Sequence, residues 1–118
     1  MNRATLVPLA AALVLASPGA RAADPAAFKT KVKPFLDAHC VDCHGPDVQK
    51  AKLRLDDLAT DLGDPRTAAT WATVYDKIAS GEMPPKKRER PAKAELDAAT
   101  TWLHTELHAA SLARQQKL

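Results

Sequence analysis

The sequence predicts a small all-α domain of about three helices joined by long loops. Trp71, Val74, Tyr75 and Ile78 recur at the spacing of one helical face, and a longer apolar stripe runs along residues 96–110. With 118 residues, the chain is long enough for one such domain and no more. No pair of strand patterns is visible between the helical stretches, so we expect no regular sheet.

The first helix is predicted to begin at Asp24-Pro25, with Asp24 as the N-cap and Pro25 in the first helical position. Its apolar face recurs at helical spacing through Phe28, Val32, Phe35 and Leu36. Pro34 lies within this face and lacks a backbone N–H. We therefore expect it to kink the helix or to restart it there.

The remaining chain alternates loop and helix. Residues 47–65 contain turn-forming residues and are expected to form an extended, loop-like segment whose leucines cover the core or a bound group. A second helix is predicted over about residues 67–80, ended by Gly81. The last helix is predicted over about residues 91–113, with Trp102 beside its apolar stripe.

The N-terminus has the features of a secretory signal peptide. Arg3 is followed by an apolar run at residues 6–16 and then by the small-residue pattern Ala20-Arg21-Ala22. The apolar run is well short of the ~20 residues that a membrane-spanning helix needs. We therefore predict a signal peptide at residues 1–22, one domain at residues 23–118, and no stable membrane insertion after cleavage.

The charge of the chain does not indicate nucleic-acid binding. The full sequence has 17 Lys and Arg residues against 14 Asp and Glu residues, and Arg3 and Arg21 would leave with the signal peptide. The cleaved chain is therefore close to neutral and lacks the global positive charge that binds phosphates.

The strongest chemical signal is Cys40-Val41-Asp42-Cys43-His44, which has the C-x-x-C-H spacing of c-type haem attachment. Each thiol can add to one vinyl group of the porphyrin, and the imidazole of the next residue then lies under the iron as an axial ligand. We expect Nδ1 of His44 to face a backbone carbonyl in the loop after Gly45, because ligating histidines usually donate their other ring N–H. Export agrees with this interpretation, because bacteria attach haem covalently outside the cytoplasm.

Other uses of a C-x-x-C pair fit the sequence less well. A zinc site usually needs four ligands, and no second pair follows at the required spacing. A thioredoxin-like pair needs a preceding strand and a parallel sheet, and the sequence shows neither. A Cys40–Cys43 disulfide remains an alternative, since an exported protein can form one.

Met83 is the candidate for the second axial ligand. Besides Met1 it is the only methionine, and it lies in Gly81-Glu82-Met83-Pro84-Pro85. The two prolines exclude helix and stiffen the backbone. A methionine within an apolar stripe is usually core filler, whereas this one lies in a loop that can bring its thioether to an iron.

Three histidines compete for that position. His39 precedes the first cysteine on the proximal side, and His104 and His108 lie at the edge of the last apolar stripe, where solvated histidines are expected. Arg54 and the indole of Trp71 could reach haem propionates. A solvated arginine and a core aromatic are the simpler interpretations of these two residues.

The sequence resembles the planctomycete-type cytochrome c domain within the class I cytochromes. The resemblance rests on residues 28–36, 39–45 and 52–56 and above all on residues 71–85, and it covers nearly all of the predicted domain. It implies a class I cytochrome c-like fold in which the N-terminal and C-terminal helices cross beside one covalently bound haem. Many relatives carry glycines where this chain has Lys50-Ala51-Lys52.

Together these features predict an exported monohaem c-type cytochrome that carries single electrons through a haem ligated by His44 and Met83. The expected cofactor is one haem c bound through Cys40 and Cys43, with no catalytic residues. Redox proteins of the periplasm or another extracytoplasmic space are the expected partners. Relatives often carry this module within longer polypeptides. Two interpretations are therefore open for this chain, which are a free-standing carrier and the haem subunit of a larger oxidoreductase. The alternative function is a haem subunit with an open or labile sixth position that binds small ligands or acts on peroxide.

We call the loop around Met83, which runs from Gly81 to the last helix, the ligand loop. A basic cluster follows Pro85 in it and consists of Lys86, Lys87, Arg88 and Arg90. It has two interpretations, which are a docking patch for an acidic partner near the haem and an ordinary solvated turn.

Overall fold

Four α-helices make up the part of the chain that this computed structural model describes, residues 10–13 and 25–118. In chain order they are α1 (Pro25–Lys31), α2 (Lys33–His39), α3 (Pro65–Ala79) and α4 (Lys93–Gln115), with one 3₁₀ turn at Lys50–Lys52. No strand forms among the described residues, where an isolated β-bridge pairs His44 with Gln49. The predicted all-α fold is confirmed.

The predicted first helix is two short helices. α1 begins at Pro25, as expected, and the chain turns at Val32 before α2 begins at Lys33. Pro34 lies in the first turn of α2, where the N–H that it lacks would have no helical partner. The predicted kink or restart is therefore confirmed.

The N-terminal predictions lie largely outside the described residues. Asp24, the predicted N-cap of α1, is outside them, and so is the predicted signal peptide except for residues 10–13, which are exposed and not helical. Among the helices that the structure describes, none is long and apolar enough to cross a membrane.

Helix α3 begins at Pro65, slightly before the predicted start. The carboxylate of Asp64 caps the helix by accepting hydrogen bonds from the N–H groups of Arg66 at 3.3 Å and Thr67 at 3.4 Å. Pro65 then takes the first helical position, which needs no N–H donor. At the other end, Gly81 adopts a φ of +77°, which allows the chain to leave the helix as predicted.

Helix α4 packs against α1, α2 and α3. Phe28 of α1 contacts the edges of two indoles, with ring centroids 5.7 Å from Trp71 and 5.4 Å from Trp102. This aromatic cluster joins α1 to α3 and α4, so the N-terminal and C-terminal helices meet, as the family resemblance implies. The buried apolar core consists of Val32, Phe35, Leu36, Leu55, Leu62, Ala68, Trp71, Val74, Ile78, Ala99, Trp102 and Leu103.

Candidate haem site

The C-x-x-C-H sequence forms one tight turn directly after α2, and we call residues 40–45 the attachment turn. The N–H of His44 donates to the carbonyl of Cys40 at 2.9 Å, and the N–H of Cys43 donates to the same carbonyl at 3.2 Å. The N–H of Cys40 in turn donates to the carbonyl of Leu36 at 2.9 Å, so the turn continues the helix. Two thiols and one imidazole therefore come from a single helical turn, as covalent haem attachment requires.

Gly45 closes the attachment turn by a close approach to its own backbone. A Cβ atom at this position would lie 2.3 Å from the carbonyl oxygen of Val41 and 2.8 Å from its Cγ1. Because these contacts are too short for any side chain, a residue larger than glycine would force the turn open.

The loop after the attachment turn folds back onto it twice. Lys50 donates its N–H to the carbonyl of Cys43 at 2.9 Å, and Leu55 donates its N–H to the carbonyl of His44 at 2.7 Å. The backbone of His44 is thus fixed both by the turn that precedes it and by the loop that follows it.

The imidazole of His44 is half-buried and has an orphaned nitrogen. Nδ1 is buried and has no hydrogen-bond partner in the described part of the chain. Nε2, the other ring nitrogen of His44, is not among the buried atoms that lack a partner. The expected hydrogen bond to a carbonyl after Gly45 is not formed, so that prediction is wrong. The loop closes through its own backbone instead, with the N–H of Gly45 donating to the carbonyl of Val48 at 2.8 Å.

The cysteines are both free, so the alternative Cys40–Cys43 disulfide is not formed. Cys40 packs against the hydrophobic core, and this burial, together with the nearby Cys43, raises the pKa of the Cys40 thiol to about 11. Redox-active thiols of the thioredoxin type need a lowered pKa, because the thiolate is the nucleophile. The environment of Cys40 has the opposite effect.

Met83 lies outside the core. Its side chain is 36% exposed, so it is not the packing filler that a lone methionine usually is. Its N–H donates to the carbonyl of Lys77 at 3.0 Å, which anchors the loop to the last turn of α3. The peptide bond between Met83 and Pro84 is cis.

The loop that carries Met83 lies beside the attachment turn. The guanidinium of Arg88 donates to the carboxylate of Asp42 at 2.9 Å, and Asp42 stands between the two cysteines. Pro84 is buried and lines a cavity of about 250 Å³ together with Ala38 and His39, at the end of α2. The structure therefore brings together the two segments that were predicted to supply axial ligands.

The competing histidines have other surroundings. Nε2 of His39 lies 3.1 Å from a carboxylate oxygen of Glu95, at the start of α4. His104 and His108 are exposed on α4, where the ring of His104 lies against Tyr75 with centroids 5.8 Å apart. Across the described residues, no group of three or more His, Cys, Asp or Glu side chains is placed to hold a metal ion.

The polar groups of Arg54 and Trp71 form hydrogen bonds within the protein. Arg54 makes two hydrogen bonds to the carboxylate of Asp56, at 3.0 Å and 2.6 Å, and the pair lowers the pKa of Asp56. The indole N–H of Trp71 donates to the carbonyl of Ala59 at 2.7 Å. Both residues therefore follow the simpler interpretation, a surface arginine and a core aromatic.

Sequence reasoning missed Asp42 as a residue of the site. The C-x-x-C-H spacing gives Asp42 no role of its own, whereas in the structure its carboxylate accepts a hydrogen bond from Arg88. The available signal was charge complementarity, since an acidic residue inside the motif and a basic cluster in the ligand loop can attract each other.

Residues 40–87 match the family model described as Planctomycete cytochrome C. The match begins at the first cysteine of the attachment turn, includes Met83 and ends before α4, and it confirms the predicted resemblance over that segment. No curated protein and no solved structure matches the chain. The cytochrome c segment indicates haem-based electron transfer as the class of function.

Proposed function

We propose that this chain is an exported monohaem cytochrome c that carries single electrons through a haem ligated by His44 and Met83. The observation that carries the proposal is the position of the Met83 loop beside the attachment turn, joined to it by the Arg88–Asp42 ion pair. A covalent haem ligated from both segments needs them close together. The match to the planctomycete cytochrome C family supports the choice of haem over other cofactors.

Cys40 and Cys43 would hold the porphyrin through two thioether bonds. Both thiols are free and half-buried, and they come from one helical turn together with His44. Burial keeps the Cys40 sulfur neutral, which suits a thioether better than a metal-bound or redox-active thiolate.

His44 would supply one axial ligand through Nε2. Of its two ring nitrogens only Nδ1 is enclosed without a partner, so Nε2 is the one left for an iron. The backbone on both sides of His44 is fixed by hydrogen bonds, so little freedom remains to be lost when the imidazole ligates.

Met83 would supply the opposite ligand. A thioether is a weak ligand, and it needs a loop that presents it without a large loss of conformational entropy. Gly81 lets the chain leave α3 with a positive φ, whereas Pro84 and Pro85 restrict the loop. The exposed thioether has no competing place in the core. When bound, the haem takes up and releases one electron, at a potential that a methionine ligand raises.

Export and partners complete the proposal. The signal peptide predicted at residues 1–22 would send the chain to the periplasm or another extracytoplasmic space, where haem is attached. The partners would be redox proteins that meet the surface near Met83. The exposed lysines of the basic cluster, Lys86 and Lys87, would form the docking surface.

The test is a reduced-minus-oxidised absorption spectrum of protein expressed with haem-maturation machinery, followed by acid–acetone extraction. We expect a low-spin c-type spectrum and haem that stays with the protein. The Cys40→Ala/Cys43→Ala double variant is the control that should lose the haem on extraction. Complete extraction of haem from the unmodified protein would exclude covalent attachment.

The sixth ligand needs a separate measurement. Met83→Ala should lower the reduction potential and allow carbon monoxide to bind the ferrous form quickly, whereas the unmodified protein should bind it slowly. The exposure of Met83 gives the alternative function its support, because an exposed ligand can dissociate. If the unmodified protein near neutral pH is high-spin and binds carbon monoxide as fast as Met83→Ala, the site is open. The small-ligand or peroxide function then replaces the electron carrier.

A further inference from the structure

The guanidinium of Arg90 donates hydrogen bonds to backbone carbonyls of the ligand loop. Its Nη2 donates to the carbonyl of Pro84 at 2.6 Å and to the carbonyl of Pro85 at 2.6 Å, with a longer contact of 3.4 Å to the carbonyl of Arg88. Within the described residues Arg90 makes no ion pair. The side chain that sequence patterning assigns to a basic surface cluster is therefore engaged with the two residues that follow Met83.

The loop has few other ways to be fixed in place. Pro84 and Pro85 have no N–H, so the last backbone donor before them is Met83, which donates to Lys77 at 3.0 Å. The backbone of the two prolines can form hydrogen bonds only through its carbonyls, and both carbonyls accept from Arg90. Proline restricts the internal shape of a loop but does not fix where the loop lies relative to the rest of the protein.

Arg90 supplies this second constraint. It lies shortly before α4 begins at Lys93, so its hydrogen bonds tie the Met-Pro-Pro segment to the start of the longest helix. The Nη2 amino group is suited to the task, because its two hydrogens can be donated to two carbonyls and the guanidinium stays charged. Hydrogen bonds from a charged donor are also stronger than those between neutral groups.

The nearby Arg88–Asp42 ion pair is the weaker restraint. Both side chains are well exposed, at 40% and 75%, and salt screens such pairs. The hydrogen bond from Arg90 to Pro84 is part-buried. Between the two arginines, Arg90 is therefore the one whose loss should release the loop.

We propose that Arg90 is a positioning residue for the axial methionine and keeps the thioether of Met83 at the iron. The inference rests on the proposed function, since it requires a haem and ligation by Met83. Loss of Arg90 would leave the carbonyl of Pro84 without its donor. The carbonyl of Pro85 would keep only the N–H of Arg88 at 2.9 Å, and the loop would stay joined to the attachment turn by the exposed Arg88–Asp42 ion pair. The methionine would then dissociate more often, although the haem and the helical core would be unchanged.

The experiment compares haem-loaded Arg90→Gln with Lys117→Gln, a control that loses the same charge from an exposed residue outside the ligand loop. We measure the rate of carbon monoxide binding to the ferrous form, together with the far-red absorption band that methionine ligation gives ferric haem. Arg90→Gln should bind carbon monoxide about tenfold faster or more, the factor expected from losing hydrogen bonds to a charged donor. The far-red band should weaken, and Lys117→Gln should match the unmodified protein.

Two further measurements separate positioning from general stability. The exchange rate of the Met83 amide should rise in Arg90→Gln by a similar factor. Trp71→Phe, a core variant that loses the hydrogen bond to Ala59, should leave both that exchange rate and the rate of carbon monoxide binding unchanged. Equal rises in Met83 exchange and in carbon monoxide binding in Arg90→Gln and Trp71→Phe would show that Arg90 only stabilises the fold and would overturn the proposal. If Arg90→Gln does not accumulate as folded holoprotein, Arg90→Lys decides by the same rate, because the lysine nitrogen lies one bond closer to the backbone than Nη2 and falls short of the two carbonyls.

The outcomes distinguish the two proposals. If the unmodified protein and Met83→Ala bind carbon monoxide equally fast, the proposed ligation by Met83 fails. If the unmodified protein is slow, Met83→Ala is fast and Arg90→Gln (or Arg90→Lys in its place) equals the unmodified protein, the ligation stands and the role of Arg90 is overturned.

Discussion

The indole N–H of Trp71 donates a hydrogen bond of 2.7 Å to the carbonyl of Ala59, which anchors α3 to the loop before it. The same ring is 1% exposed and meets Phe28 edge-on. Trp71 is therefore a core residue whose polar atom is already satisfied by the protein. The indole of Trp71 therefore has no free donor for a haem propionate.

Substitutions at Trp71 should change stability and leave the redox potential unchanged. We expect Trp71→Phe to lower the free energy of unfolding by about 1 kcal/mol, because it removes this hydrogen bond. The loss stays small because the exposed carbonyl of Ala59 can accept from water instead. Trp71→Ala should lower it by about 3–5 kcal/mol, because it leaves a cavity in the core. Guanidinium unfolding and redox titration of the haem-loaded variants measure the two quantities. A clear change of potential in Trp71→Phe would contradict this assignment.

The 3₁₀ turn at Lys50–Lys52 places non-glycine residues in the left-handed region. Ala51 and Lys52 both have a φ of +57°. This conformation costs an L-residue roughly 1–2 kcal/mol, whereas glycine adopts it freely at an entropic cost of about 0.5–1 kcal/mol. Family relatives often carry glycines just before the following segment, and the backbone geometry of this chain explains why glycine suits the position.

Glycine substitutions in this turn should therefore stabilise the protein. Ala51→Gly and Lys52→Gly should each raise the free energy of unfolding by about 0.5–1 kcal/mol, the difference between the two costs. Lys50→Gly is the matched control, because Lys50 is in the same exposed turn without a positive φ, and it should destabilise. Thermal unfolding of the three variants tests this. Equal effects at all three positions would show that backbone strain does not operate here.

The local features of the fold could be predicted from the sequence because they depend on neighbouring residues. The apolar stripes placed α3 and α4 correctly, and Pro34 marked the division between α1 and α2. The start of α3 was placed late because Asp64-Pro65 was assigned to a turn. The Asp-Pro pair that predicts a helix start at Asp24-Pro25 also occurs at Asp64-Pro65. There the turn residues Gly63-Asp64-Pro65 favour a loop instead.

The relationships across the site could not be predicted, because they join residues far apart in the chain. Asp42 and Arg88 meet only when α2 and the ligand loop pack together. The hydrogen bonds of Arg90 depend on the path that the loop takes back to α4. Sequence spacing identified the ligand candidates Cys40, Cys43, His44 and Met83. It carried no information on which charged side chains fold back onto the segments that hold them.

Asp64 should give α3 a pH-dependent cap. The hydroxyl of Thr67, followed by the N–H of Arg66, lowers the pKa of the Asp64 carboxyl. A carboxyl whose pKa is lower in the folded chain stabilises the fold above its unfolded pKa of about 3.9, and the contribution is lost as pH falls through the folded value. At neutral pH, Asp64→Ala should lower the melting temperature by a few degrees.

Asp64→Asn isolates the charge, since asparagine also caps helices but does not titrate. Its melting temperature should lie below that of the unmodified protein at neutral pH, and the difference should vanish as the pH falls below the folded pKa of Asp64. Asp47→Asn is the control, because Asp47 is an exposed carboxylate away from any helix start. A difference that stays constant down to that pH would contradict a role for the ionised carboxylate.

The basic cluster after Met83 should act on electron exchange through its two lysines. Lys86 and Lys87 are exposed, and neither forms an ion pair within the described residues, whereas Arg88 and Arg90 are engaged with Asp42 and with loop carbonyls. Near the haem, exposed positive charge attracts an anionic redox partner and speeds the encounter. The effect should weaken with salt, because charges are screened within ~10 Å at 0.1 M and ~3 Å at 1 M.

Charge reversal with a simple redox reagent tests the cluster without a known partner. Lys86→Glu/Lys87→Glu should slow electron exchange with hexacyanoferrate several-fold at low salt and speed exchange with hexaammineruthenium, because the local field changes sign. Lys29→Glu/Lys117→Glu makes the same change in net charge on exposed residues outside the ligand loop, and it should have a smaller effect. Both differences should fade at 1 M salt. Equal effects of the two double variants would show that only the net charge of the protein matters, and the docking surface would have to lie elsewhere.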